Sequence, residues 1–276
     1  MKSLYETVYQ KTGSRARCVI KHLKAVGIKD WGDLNRSALY EFKDELLETV
    51  AANTAKVTMA NLAAILNRYQ DEIPGLPADW RSILKTKGSR VVKTYLTEAE
   101  LGKLERVLTH TPKETFILNV FLVSAWTGAR VSDAIRMTPA NISEDGTSLR
   151  YVAIKTGKES ILPLKRGLEV RLSYIASHPQ EVSMNSYNKA IRRLAKKAGI
   201  NTPVMVVKGG VEKKGPKWMF LSSHTARIST ATCLAKRGAG IEDIRSLLAH
   251  GSILQTMRYI VQDKPQLSPK AMKFFE

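Results

Sequence analysis

Apolar positions recur at helical spacing through the first third of the chain. "SRARCVIKHLKAVG" (14–27) carries them three and four residues apart and stops at Gly27. "NRSALYEFKDELLETVA" begins on an Asn/Ser cap and sets Leu39, Phe42, Leu46 and Leu47 on one face. "NTAKVTMANLAAILNRYQDE" starts from Asn53, has Val57, Leu62, Ile65 and Leu66 as its stripe, and ends before the breaker "IPGLP". A short helix, "ADWRSILK", follows. The pattern predicts a small all-α unit over residues 1–85.

Periodicity then lapses in a basic stretch running to Lys93, which reads as an interdomain linker over 86–93. Its Lys85, Lys87, Arg90 and Lys93 suit a strand crossing a DNA backbone, although an ordinary solvated linker carries such charges equally well. A second unit, 94–276, opens with "LTEAEL", where Thr97 and Glu100 form a capping box. The apolar run "FILNVFLVSAW" (116–126) is too short for a bilayer and contains Asn119, so it predicts a buried helix leading into "TGAR". "LRYVAIKTGKESILPL" reads as two β-prone runs joined by a Lys-Thr-Gly-Lys turn, and "PVMVVKGGVEKKGPKWMFL" as a second hairpin. Helices flank both, and no internal repeat is visible. The fold class is therefore mainly α with small β-hairpins: a helical unit followed by a mixed α/β unit.

Charge changes the picture. The 44 Lys and Arg against 25 Asp and Glu give +19, which favours a polyanionic partner over the lesser readings of membrane lipid, ribosomal contact or plain solubility. Two distant cysteines, Cys18 and Cys233, fit a reducing compartment and no structural zinc. With no signal peptide in "MKSLYETVYQKTGSR", a cytoplasmic protein without membrane attachment is expected.

The candidate chemistry lies in residues 127–260. Arg130 follows Gly128, and Asp133 is three residues on, within reach of the guanidinium if the segment turns helical. Lys155 stands at the tip of the first predicted hairpin. His224 and Arg227 share a helix face near an N-terminus capped by Ser222 or Ser223, where free N–H groups favour an anion. His250 closes a helix before Gly251, and Tyr259 lies nine residues beyond. Singly, each has an ordinary explanation: a surface pair, a structural salt bridge, a solvated lysine, a core tyrosine. Together they suit phosphoryl transfer from DNA to a protein hydroxyl. Two guanidiniums clamp non-bridging oxygens, a lysine protonates the departing sugar oxygen, and histidines assist a phenol whose ordinary pKa near 10 makes it a poor nucleophile. Such reactions call for accelerations up to about 10¹⁷-fold, hence several positioned cations. No acidic cluster suggests a metal, and no cofactor is expected.

"TGARVSD", Lys155 in "IKTGKESILPL", "HTAR" and "LLAHGSILQTMRYI" resemble, in order and spacing, the motifs of the tyrosine recombinases, the phage integrase and Xer-type family. The resemblance covers roughly 94–276; residues 1–85 resemble the family's helical core-binding domain by placement only. It implies that Tyr259 attacks a scissile phosphate to form a 3′-phosphotyrosine, that Arg130, Arg227 and His250 bind the phosphate, that Lys155 is the general acid, that His224 handles the tyrosine proton, and that Asp133 supports Arg130. Lys158 is a neighbouring candidate for the hairpin role, but Lys155 fits the distance to Pro163 better. Double-stranded DNA and a homotetramer on paired sites are the implied partners, with accessory DNA-bending proteins left open. The chain starts almost at the helical unit, which leaves no visible room for an arm-binding domain. The tail "LSPKAMKFFE" is read either as an amphipathic segment docking Met272 and Phe274/Phe275 on a neighbouring protomer or as packing on its own domain. A type IB topoisomerase and a catalytically silent DNA-binding protein are the alternatives; cleavage separates out the silent binder, and strand exchange separates recombinase from topoisomerase.

Overall fold

The computed structural model describes residues 2–89 and 91–262. It divides into two compact units, Met1–Val92 with Val207–Lys213, and Lys93–Val206 with Lys214–Glu276. The stretch read as a linker thus falls with the first unit up to Val92, which forms an antiparallel bridge with Val207.

The first unit holds α1 (Leu4–Thr12), α2 (Ala16–Ala25), α3 (Arg36–Thr49), α4 (Ala52–Tyr69) and the single turn α5 (Trp80–Ile83). Helix α1 is announced in sequence by a Ser-x-x-Glu pair, Ser3 and Glu6, which cap each other's backbone. The core gathers Leu4, Val8, Leu23, Leu39, Phe42, Leu46, Met59, Leu62, Leu66 and Trp80. Two expected stripe positions are corrected. Leu47 and Val57 are exposed. At 100° per residue Leu47 stands one step off the Leu39–Phe42–Leu46 line, and Val57 points away from the face that Met59, Leu62 and Leu66 share. Helix α4 starts at Ala52, with Ala51 rather than Asn53 as its N-cap, and the Asn53 amide instead donates to the Ser89 carbonyl at 3.2 Å and hydroxyl at 3.1 Å.

In the second unit, α6 (Glu98–Glu105) starts on the expected Thr97–Glu100 capping box, and α7 (Pro112–Thr127) is the buried central helix. Asn119 is tolerated there because both ends of its amide are satisfied: it donates to the Thr115 carbonyl at 3.0 Å and accepts from Arg171 at 2.9 Å. The turn α8 (Val131–Ala134) leads to a hairpin of β1 (Ser148–Val152) and β2 (Glu159–Pro163), paired antiparallel with Val152 opposite Glu159. Its alternation turns Leu149, Tyr151, Ser160 and Leu162 inward. Then come α9 (Leu168–Ser177), α10 (Met184–Lys197), the pair β3 (Pro203–Lys208) and β4 (Val211–Pro216), whose turn end Val207–Lys213 belongs to the first unit, and α11 (Ser223–Lys236), α12 (Ile241–Leu247) and α13 (Ile253–Met257). Helix α11 packs along α7, pinned where the Thr230 hydroxyl donates to the Ala125 carbonyl at 2.7 Å. Among the described residues, no helix is long and apolar enough to cross a membrane.

Candidate active site

The Arg130 loop is built by the end of α7. Gly128 takes the left-handed conformation (φ 71°), its N–H donates to the Ser124 carbonyl at 2.9 Å, and the Ser124 hydroxyl donates to the Ala129 carbonyl at 2.6 Å. The chain therefore reverses within three residues and delivers Arg130 beside α11. There Arg227 is 1% exposed, its two terminal nitrogens donating to the carbonyls of Gly128 and Leu248. One guanidinium thus ties the Arg130 loop to the end of α12. Burial and neighbouring Arg130 push Arg227 down to about 10, which leaves it charged at neutral pH.

His250 reaches the same place through an unusual helix ending. Ala249 is the one non-glycine residue with positive φ (49°) among those described, and the amides of Ala249 and His250 bond back to the carbonyls of Ser246 and Arg245. This is a Schellman-type stop with alanine where glycine is usual. The helix ends at Leu247, before the Gly251 boundary expected from sequence. The His250 ring is buried, its Nδ1 lies 3.1 Å from the Thr256 hydroxyl, and it tilts against the Tyr259 ring with centroids 4.9 Å apart. Tyr259 follows α13, held through its backbone: its N–H donates to the Thr256 carbonyl at 2.8 Å, and the Thr232 hydroxyl of α11 donates to its carbonyl at 3.3 Å.

Helix α11 places its two candidate residues differently. Arg227 is buried, whereas His224 is exposed on the first turn. Desolvation of the His224 ring, together with Lys93, Arg227, Arg130 and Lys155, pushes its pKa down. Lys155 sits at the exposed tip of the β1–β2 hairpin, with Gly157 (φ 62°) turning the chain. Asp133 is buried, and its Oδ1 accepts from the Ile154 N–H at 3.0 Å, one residue before Lys155. Instead of pairing with Arg130, the carboxylate holds the root of the lysine hairpin.

Arg130, Asp133, Lys155, His224, Arg227, His250 and Tyr259 are therefore brought together within one unit. Lys85 and Lys87 are exposed in the first unit, and Arg90 and the 263–276 tail lie outside the described residues. Lys93, grouped in sequence with the linker, is half-buried in the second unit, its Nζ 4.9 Å from the centre of the Tyr259 ring. No sequence motif marks Tyr151, yet strand alternation gives its inward direction, and it is buried with its hydroxyl unpartnered.

The unmet hydrogen-bonding capacity is concentrated here. Of the six buried side-chain polar atoms without a partner among the described residues, five are Arg130 Nη1, Arg227 Nε, His250 Nε2, Asp133 Oδ2 and the Tyr151 hydroxyl. Buried polar groups are ordinarily satisfied, and unpartnered donors on two guanidiniums beside an unpartnered imidazole nitrogen are what an anion-binding site offers its ligand. No group of three or more His, Cys, Asp or Glu among the described residues is placed to hold a metal.

His250 gives the site a pH signature. Burial, then Arg227 and Arg130, lowers its pKa from the ordinary 6.5 to about 4. Between those values the unfolded chain binds the proton more readily than the folded one, so stability declines as pH falls from about 6.5 to about 4. His224, shifted the same way, adds to the slope. The melting temperature of the DNA-free protein is expected to drop over that window, and less so in His250→Gln. Identical slopes in the two proteins would show that His250 is not the titrating group.

The phage integrase family, compared as a family model, matches residues 94–265. Among curated relatives, tyrosine recombinase XerA of Thermococcus kodakarensis is 25% identical over 255 residues, spanning 88% of this chain and 86% of its own. Tyrosine recombinase XerD of Chlorobaculum tepidum is 28% identical over 199 residues, 66% of this chain and 62% of its own. A solved lambda integrase (75–356) dimer bound to a COC′ core site shares the fold, with a TM-score of 0.67 at 17% identity over 97% of this chain and 98% of that one. The fold of the second unit is that of an integrase-type catalytic domain. The chain belongs to the phage integrase family.

Proposed function

We propose that the protein is a site-specific DNA recombinase that breaks and rejoins strands through a 3′-phosphotyrosine. The observation that carries this reading is the cluster of unpartnered buried nitrogens, Arg130 Nη1, Arg227 Nε and His250 Nε2, around a half-buried tyrosine. In this reading Tyr259 attacks the scissile phosphorus and displaces the 5′ oxygen. Arg130 and Arg227 hold the non-bridging oxygens as charge builds on them, His250 completes the phosphate site, Lys155 gives the leaving oxygen its proton, and His224 takes the tyrosine proton. The bond energy is kept in the phosphotyrosine ester, so a second strand's 5′-hydroxyl reverses the step.

Residues 1–85 are proposed as a core-binding domain and Lys85, Lys87 and Arg90 as contacts to the DNA backbone. The solved XerH recombinase bound to its palindromic difH substrate in a post-cleavage complex, with a TM-score of 0.63 at 15% identity over 99% of this chain and 78% of that one, is compatible with such an arrangement. Pairing of sites in a homotetramer is part of the proposal.

A covalent-adduct assay tests it. Protein incubated in EDTA with DNA from its own genetic neighbourhood, then denatured, is expected to retain DNA through a 3′ end at one discrete sequence. Tyr259→Phe is expected to retain none. Adduct in the Phe variant, or DNA binding without adduct on nicked substrates that trap cleavage, would leave the silent binder as the better reading.

A further inference from the structure

We propose that Lys93 is a positioning residue for Tyr259, clamping the candidate nucleophile by its backbone and its ring at once. This rests on the reading of Tyr259 given above and goes beyond it, because Lys93 belongs to none of the motifs that carry that reading.

Two observations on one helix place the clamp. The Leu96 N–H donates to the Ser229 hydroxyl of α11 at 2.8 Å, which fixes the segment that carries Lys93 against that helix. One turn further along α11, Thr232 donates to the Tyr259 carbonyl at 3.3 Å and accepts from the Val261 N–H at 3.0 Å. The two segments therefore lie side by side on a common support, and the Lys93 side chain bridges them. Its ammonium donates to the Arg258 carbonyl at 3.2 Å and stands 4.9 Å from the Tyr259 ring centre. Arg227 approaches the same ring, its guanidinium carbon 5.6 Å from the centre.

The electrostatics of the position call for a reason. Arg258 from the segment after α13 and His224 from α11 act on Lys93, Arg227 and His250 lie against the Tyr259 ring that it approaches, and no carboxylate pairs with it among the described residues. Burial and Arg258 disfavour its charged form. A half-buried cation among cations costs free energy unless something negative is met there. The aromatic face and the carbonyl supply part of that, and the rest arrives as negative charge grows on the Tyr259 oxygen and the scissile phosphate. A lysine serving only as a backbone contact would sit better extended into water.

The test separates a clamp from a DNA contact and from a failure of the nucleophile assignment. Lys93→Met keeps the apolar stem and removes the charge, and Lys93→Arg keeps a cation able to stack on the ring. In the DNA-free protein, hydrogen exchange at the Tyr259 and Val261 amides is expected to quicken about tenfold in Lys93→Met and to recover in Lys93→Arg. On a nicked duplex carrying the sequence recovered with wild-type adduct, Lys93→Met is expected to bind as tightly as wild type but to cleave at saturation about tenfold more slowly, again recovering with Arg. Unchanged exchange in Lys93→Met overturns the clamp, as does a variant that loses affinity and salt dependence but cleaves normally once bound. Should wild type form no adduct, or Tyr259→Phe form one, the nucleophile assignment fails instead, and the exchange measurement still decides whether Lys93 holds the segment.

Discussion

Arg227→Ala is expected to abolish strand cleavage, lowering it by at least about 10³-fold, and to destabilise the catalytic unit by about 2–4 kcal/mol. Both effects have one origin. The side chain is 1% exposed and commits two of its nitrogens to the Gly128 and Leu248 carbonyls. Truncation leaves two buried acceptors unpaired and a cavity between α7, α11 and α12. Relief of repulsion with Arg130 offsets part of that cost, since Arg130 is the main charge working against it. Catalytically, the loss removes the Nε donor that faces the proposed phosphate and lets the Arg130 loop and His250 drift apart. Arg227→Lys separates the two roles: one ammonium cannot serve both carbonyls and a phosphate, so the protein should stay folded while cleavage falls about 10²–10³-fold. Urea unfolding and the trapped-adduct rate measure the two quantities. An Arg227→Ala protein as stable as wild type would show that the carbonyl bonds contribute little.

Gly128→Ala is the second large effect, and a matched control makes it readable. At φ 71° an alanine carries the left-handed penalty of about 1–2 kcal/mol, and its Cβ would lie 2.7 Å from Leu248 Cδ2 and 2.8 Å from Leu247 Cδ2. Both leucines are packed at the end of α12, so relief requires repacking worth about 1–3 kcal/mol more. Gly157 has φ 62°, but an alanine methyl there would meet nothing within 4 Å, so Gly157→Ala should show the backbone cost alone. Gly128→Ala is expected to unfold at clearly lower urea than Gly157→Ala and to lose cleavage, because shifting the Gly128 carbonyl displaces Arg227. Equal midpoints for the two variants would mean that the contact with α12 is soft.

Much of this protein is legible in its sequence because local rules decide it. Ser3/Glu6 and Thr97/Glu100 fix helix starts through their own side chains, and the alternation in 148–163 sets the inward face of the first hairpin. Motif order and spacing point to the family, since chemistry on a phosphodiester demands those residue types. Stripe edges are harder to read. Leu47 sits where a helix face turns from core to water, a boundary that only the neighbouring helices settle, whereas Val57 lies on the far side of α4 from Met59, Leu62 and Leu66.

Residue order alone thus specifies the helical character, the hairpins and the set of side chains able to act on a phosphate. How those side chains are held is a matter of three-dimensional packing. That Asp133 grips the Ile154 amide, that Ala249 accepts a left-handed turn to swing His250 inward, and that Lys93 lies against Tyr259 all depend on segments far apart in the chain. Residue spacing does not reveal them, because each is completed by packing: α8 against the first hairpin for Asp133, and α11 against the Leu248 carbonyl and the Lys93 and Tyr259 segments for the other two.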